Sequence, residues 1–319
     1  MNFKALSFLL FFSFVLKVSA QSQQDSVQLV FEELFSEFQN IRDFTMSANG
    51  KEIYFTAQSP MEEISVLVRA KMAKLGWEKE LFLPQSGKYK DLEPFLSPDG
   101  LKLYFASNRP RNDSVEVKKD FDIWVLERSN PKDKWSKPIN IGSPINSEFN
   151  EFYPSVSQNG NMYFTSDRPG GKGKDDIYKS EKLNDNYRIP ISLSDSVNSE
   201  GYEFNAFISP DEKQLVFSGY NREDGLGSGD LYISSLSKEG HWSIAKKLGE
   251  IVNSDKMDYC PFIDFNTETF YFTSKRSEIE TKEIQNIEEF KAALKTPENG
   301  LSKIYKISLR EIPEMDLKN

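Results

Sequence analysis

The chain has 319 residues, with 40 Lys and Arg against 49 Asp and Glu, a formal net charge of -9, one histidine and one cysteine. So acidic a balance lacks the field that gathers nucleic acid or anionic lipid, and these counts exclude an intramolecular disulfide and a histidine-rich zinc site. The length is enough to bury one large all-β core or two ordinary ones.

Residues 1–20 read as a secretory leader: Lys4, an apolar run LSFLLFFSFVL, then VSA before Gln21. That run is too short to span a bilayer, and no later apolar segment is long enough. Cys260 lies far from the cleavage point, so no lipid-anchor signal is read. The expected location is exported, periplasmic or extracellular in a bacterial envelope, with stability drawn from the core rather than from disulfides.

A hairpin then recurs five times: MSANGKEIYFT from Met46, LSPDGLKLYFAS from Leu96, VSQNGNMYFTS from Val156, ISPDEKQLVFSG from Ile208 and IDFNTETFYFTS from Ile263. Asn-Gly and Asp-Gly supply the positive φ of a tight turn, and each turn leads into an alternating apolar strand. A polar loop and a third strand follow: ISVLVRAKM, DIWVLER, DIYKSEK, DLYISSL and KIYKISL, starting at Ile64, Asp122, Asp176, Asp230 and Lys303. Four units continue into a segment led by Trp77, Trp135, Tyr187 or Trp242, expected to form a fourth strand. Five such units packed radially predict an all-β, five-bladed propeller of four-stranded antiparallel blades.

The fifth unit lacks a fourth strand of its own. In units two to four the aromatic lies twenty-two residues before the next turn residue, and counting back equally from Ser47 reaches Asp25. Residues 25–34 are therefore expected to close the ring as the outer strand of the last blade. The blades are expected over about 41–84, 91–145, 151–197, 203–252 and 258–310, one domain spanning 21–319.

The Ser-Pro-Asp-Gly turn, the SNRP and SDRPGG runs and the Asp-Ile-Tyr third strand resemble the TolB-type, WD40-like propeller repeats of bacterial envelope proteins. TAQSP and TSKRS depart from the pattern in units one and five. The resemblance implies a binding scaffold in the periplasm or at the outer membrane. Some relatives of that kind carry a peptidoglycan-binding module, which is not recognised here.

Aligned on the turn, four units carry an acid six positions earlier: Asp91, Glu151, Glu203 and Asp258. The same units carry an arginine after the second strand: Arg109, Arg168, Arg222 and Arg276. An antiparallel hairpin makes acid and arginine cross-strand neighbours, and unit one lacks both, having Ile41 and Ser59 instead. Asp122, Asp176 and Asp230 at the start of the third strand extend this to an expected acid, arginine, acid staple. The alternative is a ring of carboxylates at the channel mouth, serving a carbohydrate-active enzyme or a calcium ion; no other cofactor or metal is expected.

His241 reads as a turn residue, Cys260 as a small buried hydrophobe, and the pairs Asp175–Asp176 and Glu32–Glu33 as solvated surface. Between residues 276 and 301, Ile284, Ile287, Phe290 and Leu294 recur at helical spacing, predicting an amphipathic helix whose stripe packs on the loop face. The loops 109–121, 168–175, 221–229 and 276–301 share that face. They are expected to bind an envelope protein, peptide or glycan, with Arg109, Arg168, Lys172, Lys174 and Arg222 as candidate contacts. The oligomeric state is not legible.

Overall fold

The computed structural model describes residues 27–30, 32–111 and 120–315. The expected leader 1–20, Asp25, Phe31 and loop residues 112–119 lie outside them. The chain opens with β1 (Gln28–Leu29) and a short α1 (Glu32–Phe35). Blade one is β2 (Asn40–Met46), β3 (Glu52–Gln58), β4 (Ser65–Ala73) and β5 (Gly76–Leu81); blade two is β6 (Asp91–Leu96), β7 (Lys102–Ser107), β8 (Asp122–Glu127) and β9 (Ile139–Asn140). Blade three is β10 (Glu151–Val156), β11 (Met162–Ser166) and β12 (Asp176–Ser180). A small hairpin, β13 (Lys182–Leu183) and β14 (Asn186–Tyr187), precedes its outer strand β15 (Ile191–Ser192). Blade four is β16 (Tyr202–Ile208), β17 (Gln214–Tyr220), β18 (Gly229–Ser235) and β19 (Lys246–Lys247). Blade five is β20 (Asp258–Asp264), β21 (Thr269–Ser274), the helix α2 (Ile287–Leu294) and β22 (Lys303–Ser308).

Each blade is a sheet of four strands, all antiparallel, and the fifth has the order β20-β21-β22-β1. Gln28 pairs with Lys306 and Leu29 with Tyr305, so an N-terminal strand closes the ring, though over two residues rather than the expected 25–34, since Glu32–Phe35 turns into α1. The turns form for a chemical reason. In four of them the first-position serine donates to the Asx side chain two residues on, as Ser97 does to Asp99 at 2.6 Å and Ser209 to Asp211 at 2.7 Å.

Two expectations change. Outside blade one the outer strands have two residues, and in blades two to four they begin four positions after the aromatics. Trp135 instead donates from Nε1 to the Tyr54 hydroxyl of blade one at 2.9 Å, and Trp242 meets Tyr163 of blade three edge-on. These rings wedge between blades, where they pack partly buried against the apolar cores. The α2 stripe also does not pack: Ile287, Phe290 and Leu294 are 63%, 47% and 56% exposed. The helix is held by its N-cap Asn286 and by the Ser277–Asn299 bridge at the base of the insertion, not by its apolar side.

Candidate functional site

The four acids at the starts of the inner strands are buried and paired with the four arginines. Arg109 reaches Asp91 at 2.6 Å, Arg168 reaches Glu151 at 2.7 Å, and Arg222–Glu203 and Arg276–Asp258 stand at 3.5 Å. Each guanidinium also lies over rings of its own blade, Arg168 over Phe164 at 5.0 Å and Tyr178 at 5.3 Å, Arg222 over Tyr232 at 4.5 Å. Burial outweighs these partners and pushes the Asp91, Glu151, Glu203 and Asp258 carboxyls above their usual range.

The third acid does not join this pair. Asp122 is held by Arg111, at 2.7 and 2.6 Å. Asp176 accepts from the amides of Lys172 and Gly173, and Asp230 from those of Leu226 and Gly227. The glycine loops therefore fold back over their own acid. An added Cβ at Gly173 would stand 2.4 Å from the Gly201 oxygen, and one at Gly227 1.7 Å from the Lys256 oxygen, both in the connection to the next blade. Arg109, Arg168 and Arg222 are thus engaged inside the blades, whereas Lys172 and Lys174 are exposed on the loop face, with Lys174 over the Tyr202 ring at 5.0 Å.

The connections between blades carry a repeated clasp that the sequence reading missed. Asn146-Ser147, Asn198-Ser199 and Asn253-Ser254 each precede the inner-strand acid by five and four residues. The asparagine binds both backbone groups of the preceding third strand, Asn198 taking the Ile177 amide and carbonyl at 3.0 Å each. The serine amide and hydroxyl bind the acid, 2.7 Å in both bonds from Ser199 to Glu203. An N-S-x-x-x-acid spacing was the available signal.

A second feature had no such signal. Every inner strand bulges two residues after its acid position, and the residue there has positive φ: Asp43 55°, Glu93 61°, Tyr153 46°, Asn205 51° and Cys260 52°. All five are buried. Arg42 donates to Asp43 at 2.8 Å and Glu93 at 2.9 Å, Asn205 donates to Glu93 at 3.3 Å, and the Cys260 thiol donates to Asp43 at 2.6 Å. Tyr153 reaches the Pro261 carbonyl at 3.1 Å, so side chains from all five blades meet at the axis. Cys260 is buried as expected, but in a polar cluster. Burial, and then the like charge of Asp43, push the Glu93 carboxyl up to about 7 against the pull of Arg42.

On the hairpin-turn face the axis opens into a funnel of about 560 Å³ to which every blade contributes. Phe95, Val156, Phe207 and Phe262 form its floor, and Phe265, 37% exposed, stacks over Phe207 with centroids 6.5 Å apart. Its rim carries Lys51, Lys71 and Lys132 on one side and Asp264 on another. Between the floor and Glu93 and Tyr153 only about 10 Å³ remains, so the polar cluster seals the funnel. Among the described residues, this recess on the axis lies on the face opposite the long loops. Among the described residues no group of three or more His, Cys, Asp and Glu is arranged to hold a metal, and no helix is long and apolar enough to cross a membrane.

No family model and no curated protein matches the chain. Among solved structures, a putative TolB from Agrobacterium tumefaciens is 16% identical with a TM-score of 0.48, over 74% of this chain and 70% of that one. TolB from Acinetobacter baumannii is 13% identical with a TM-score of 0.43, over 85% of this chain and 55% of that one. The α-L-arabinofuranosidase PaAbf62A from Podospora anserina is 13% identical with a TM-score of 0.49, over 85% of this chain and 90% of that one. At these identities the likeness is one of fold alone, and it does not select among functions.

Proposed function

We propose that the protein is an exported, non-catalytic binding propeller that receives an apolar segment of an envelope protein in the axial funnel. The observation that carries this reading is the recess to which all five blades contribute, with an aromatic floor inside a polar, mixed-charge rim. Its volume falls within the roughly 300–1,000 Å³ common for ligand sites, and aromatic anchors at the centre of a concave surface are where binding energy concentrates. The carbohydrate-enzyme alternative needs carboxylates free to approach a sugar. The four inner-strand acids are 0% exposed, and Asp43 and Glu93 at the axis are tied to Arg42, which favours binding over hydrolysis.

The test places a photo-crosslinking residue at Asn266 on the funnel rim and, separately, at Lys172 on the loop face, in cells of the host. Capture of one protein from position 266, lost when Phe265→Glu is added, is the expected result. Capture only from position 172, or turnover of a polysaccharide by the purified protein, would overturn the reading.

A further inference from the structure

A second recess lies where the ring closes. The closing strand covers β22 only as far as Ile304, whose carbonyl accepts from the Val30 amide at 3.2 Å. The chain then turns through α1, and Phe35 and Phe38 meet Phe55 edge-on at 4.9 and 5.2 Å, which fixes them as one wall. Leu294, at the exposed end of α2, and Ile304 belong to the opposite side, enclosing about 600 Å³. This cleft shares no lining residue with the axial funnel.

Among its polar lining residues, which include Ser36, Gln39, Thr296 and Asn299, one is a half-buried cation, Lys303. The Lys303 ammonium donates to the carbonyls of Phe38 at 3.3 Å and Gln39 at 2.7 Å. No carboxylate within ion-pair distance accompanies it among the described residues, and burial alone acts on it, lowering its pKa. An ammonium has three donors, so one remains, and a desolvated cation without a counter-charge is costly until an anion arrives. Lys295 adds a second, exposed cation at the rim of the cleft, in a chain whose net charge is -9.

We propose that this cleft binds a single-chain amphiphile of the fatty-carboxylate class, with the hydrocarbon between Phe35, Phe38 and Leu294 and the carboxylate on Lys303. The apolar walls favour a chain, and the half-buried Lys303 ammonium selects its head group. A neutral chain of equal length forfeits the charge-assisted bond.

The test titrates delipidated protein, purified from its host, with dodecanoate and with dodecanol by calorimetry. Saturable one-to-one binding of dodecanoate is expected. Lys303→Met should weaken it by about tenfold while leaving the affinity for dodecanol unchanged. Leu294→Glu, at an exposed helix position where folding is not at stake, should weaken both ligands. Absence of saturable dodecanoate binding, equal affinity of wild type and Lys303→Met for dodecanoate, or dodecanol binding as tightly as dodecanoate would each overturn the proposal.

Discussion

Asn198 closes on Ile177 with both ends of its amide, Oδ1 accepting from the Ile177 nitrogen and Nδ2 donating to its oxygen, each at 3.0 Å. The same side chain reaches Ser192 Oγ at 3.0 Å and the Leu193 carbonyl at 3.1 Å. One asparagine thus satisfies the third strand of blade three where that strand lacks a long neighbour. Asn198→Ala strands buried backbone groups, and a loss of about 2–3 kcal/mol in urea denaturation is expected. A loss below about 0.5 kcal/mol, the level of an ordinary surface change, would show the clasp to be incidental.

Among the described residues, Arg168 is the only counter-charge within ion-pair distance of Glu151, whose side chain is 0% exposed. Arg168→Met leaves that carboxylate buried with only serine partners, a change of about 3–5 kcal/mol in stability. Adding Glu151→Gln should restore part of the loss, since the uncompensated charge is then gone. Equal stabilities for wild type and Arg168→Met in thermal unfolding would refute the staple.

At Gly227 the approach to the next blade is closer than any side chain allows, 1.7 Å from the Lys256 oxygen to an added Cβ. Gly227→Ala must displace backbone, and a cost of about 1–3 kcal/mol is expected, as for other overpacked sites. Gly227 is not a positive-φ position, so crowding alone sets this cost, and a stability unchanged within about 0.5 kcal/mol would show that packing against the next blade is not what requires glycine there.

The raised Glu93 carboxyl has a direction in pH. The folded chain keeps a proton, up to about pH 7, that the unfolded chain releases near its ordinary value of about 4.5. This contribution to stability is therefore full below about pH 4.5 and lost as pH rises to about 7. Glu93→Gln removes the titration while keeping the shape, so its melting temperature should fall less than that of wild type over that window. The difference corresponds to at most about 3 kcal/mol. Parallel profiles for the two proteins would count against Glu93 holding the proton.

Removing residues 21–34 takes away β1 together with Val30, 5% exposed, and Leu34, 0% exposed, and it uncovers the edge of β22. Two buried aliphatic side chains and a strand pairing amount to several kcal/mol. The truncated chain should unfold many degrees earlier in a thermal scan. Melting like a chain that begins at residue 21 would mean that the ring does not depend on this strand.

The number of blades and the manner of closure were legible because they are written in local chemistry. A Ser-x-Asx turn makes its own hydrogen bonds within a few residues, and the alternating strand beside it repeats five times. The pairing of Arg168 with Glu151 followed from the same repeat, since register alone sets cross-strand neighbours. The third acid was misassigned because Asp176 is satisfied by the amides of a folded loop, and backbone donors leave no residue type to read. The axial cluster was invisible for another reason. Asp43, Glu93, Tyr153, Asn205 and Cys260 occupy one structural position but are chemically unlike, each fitted to the side chain facing it across the axis. Only closing the ring brings them together, and only closing it forms the funnel of Phe95, Phe207 and Phe262, because no single blade buries or exposes these rings by itself.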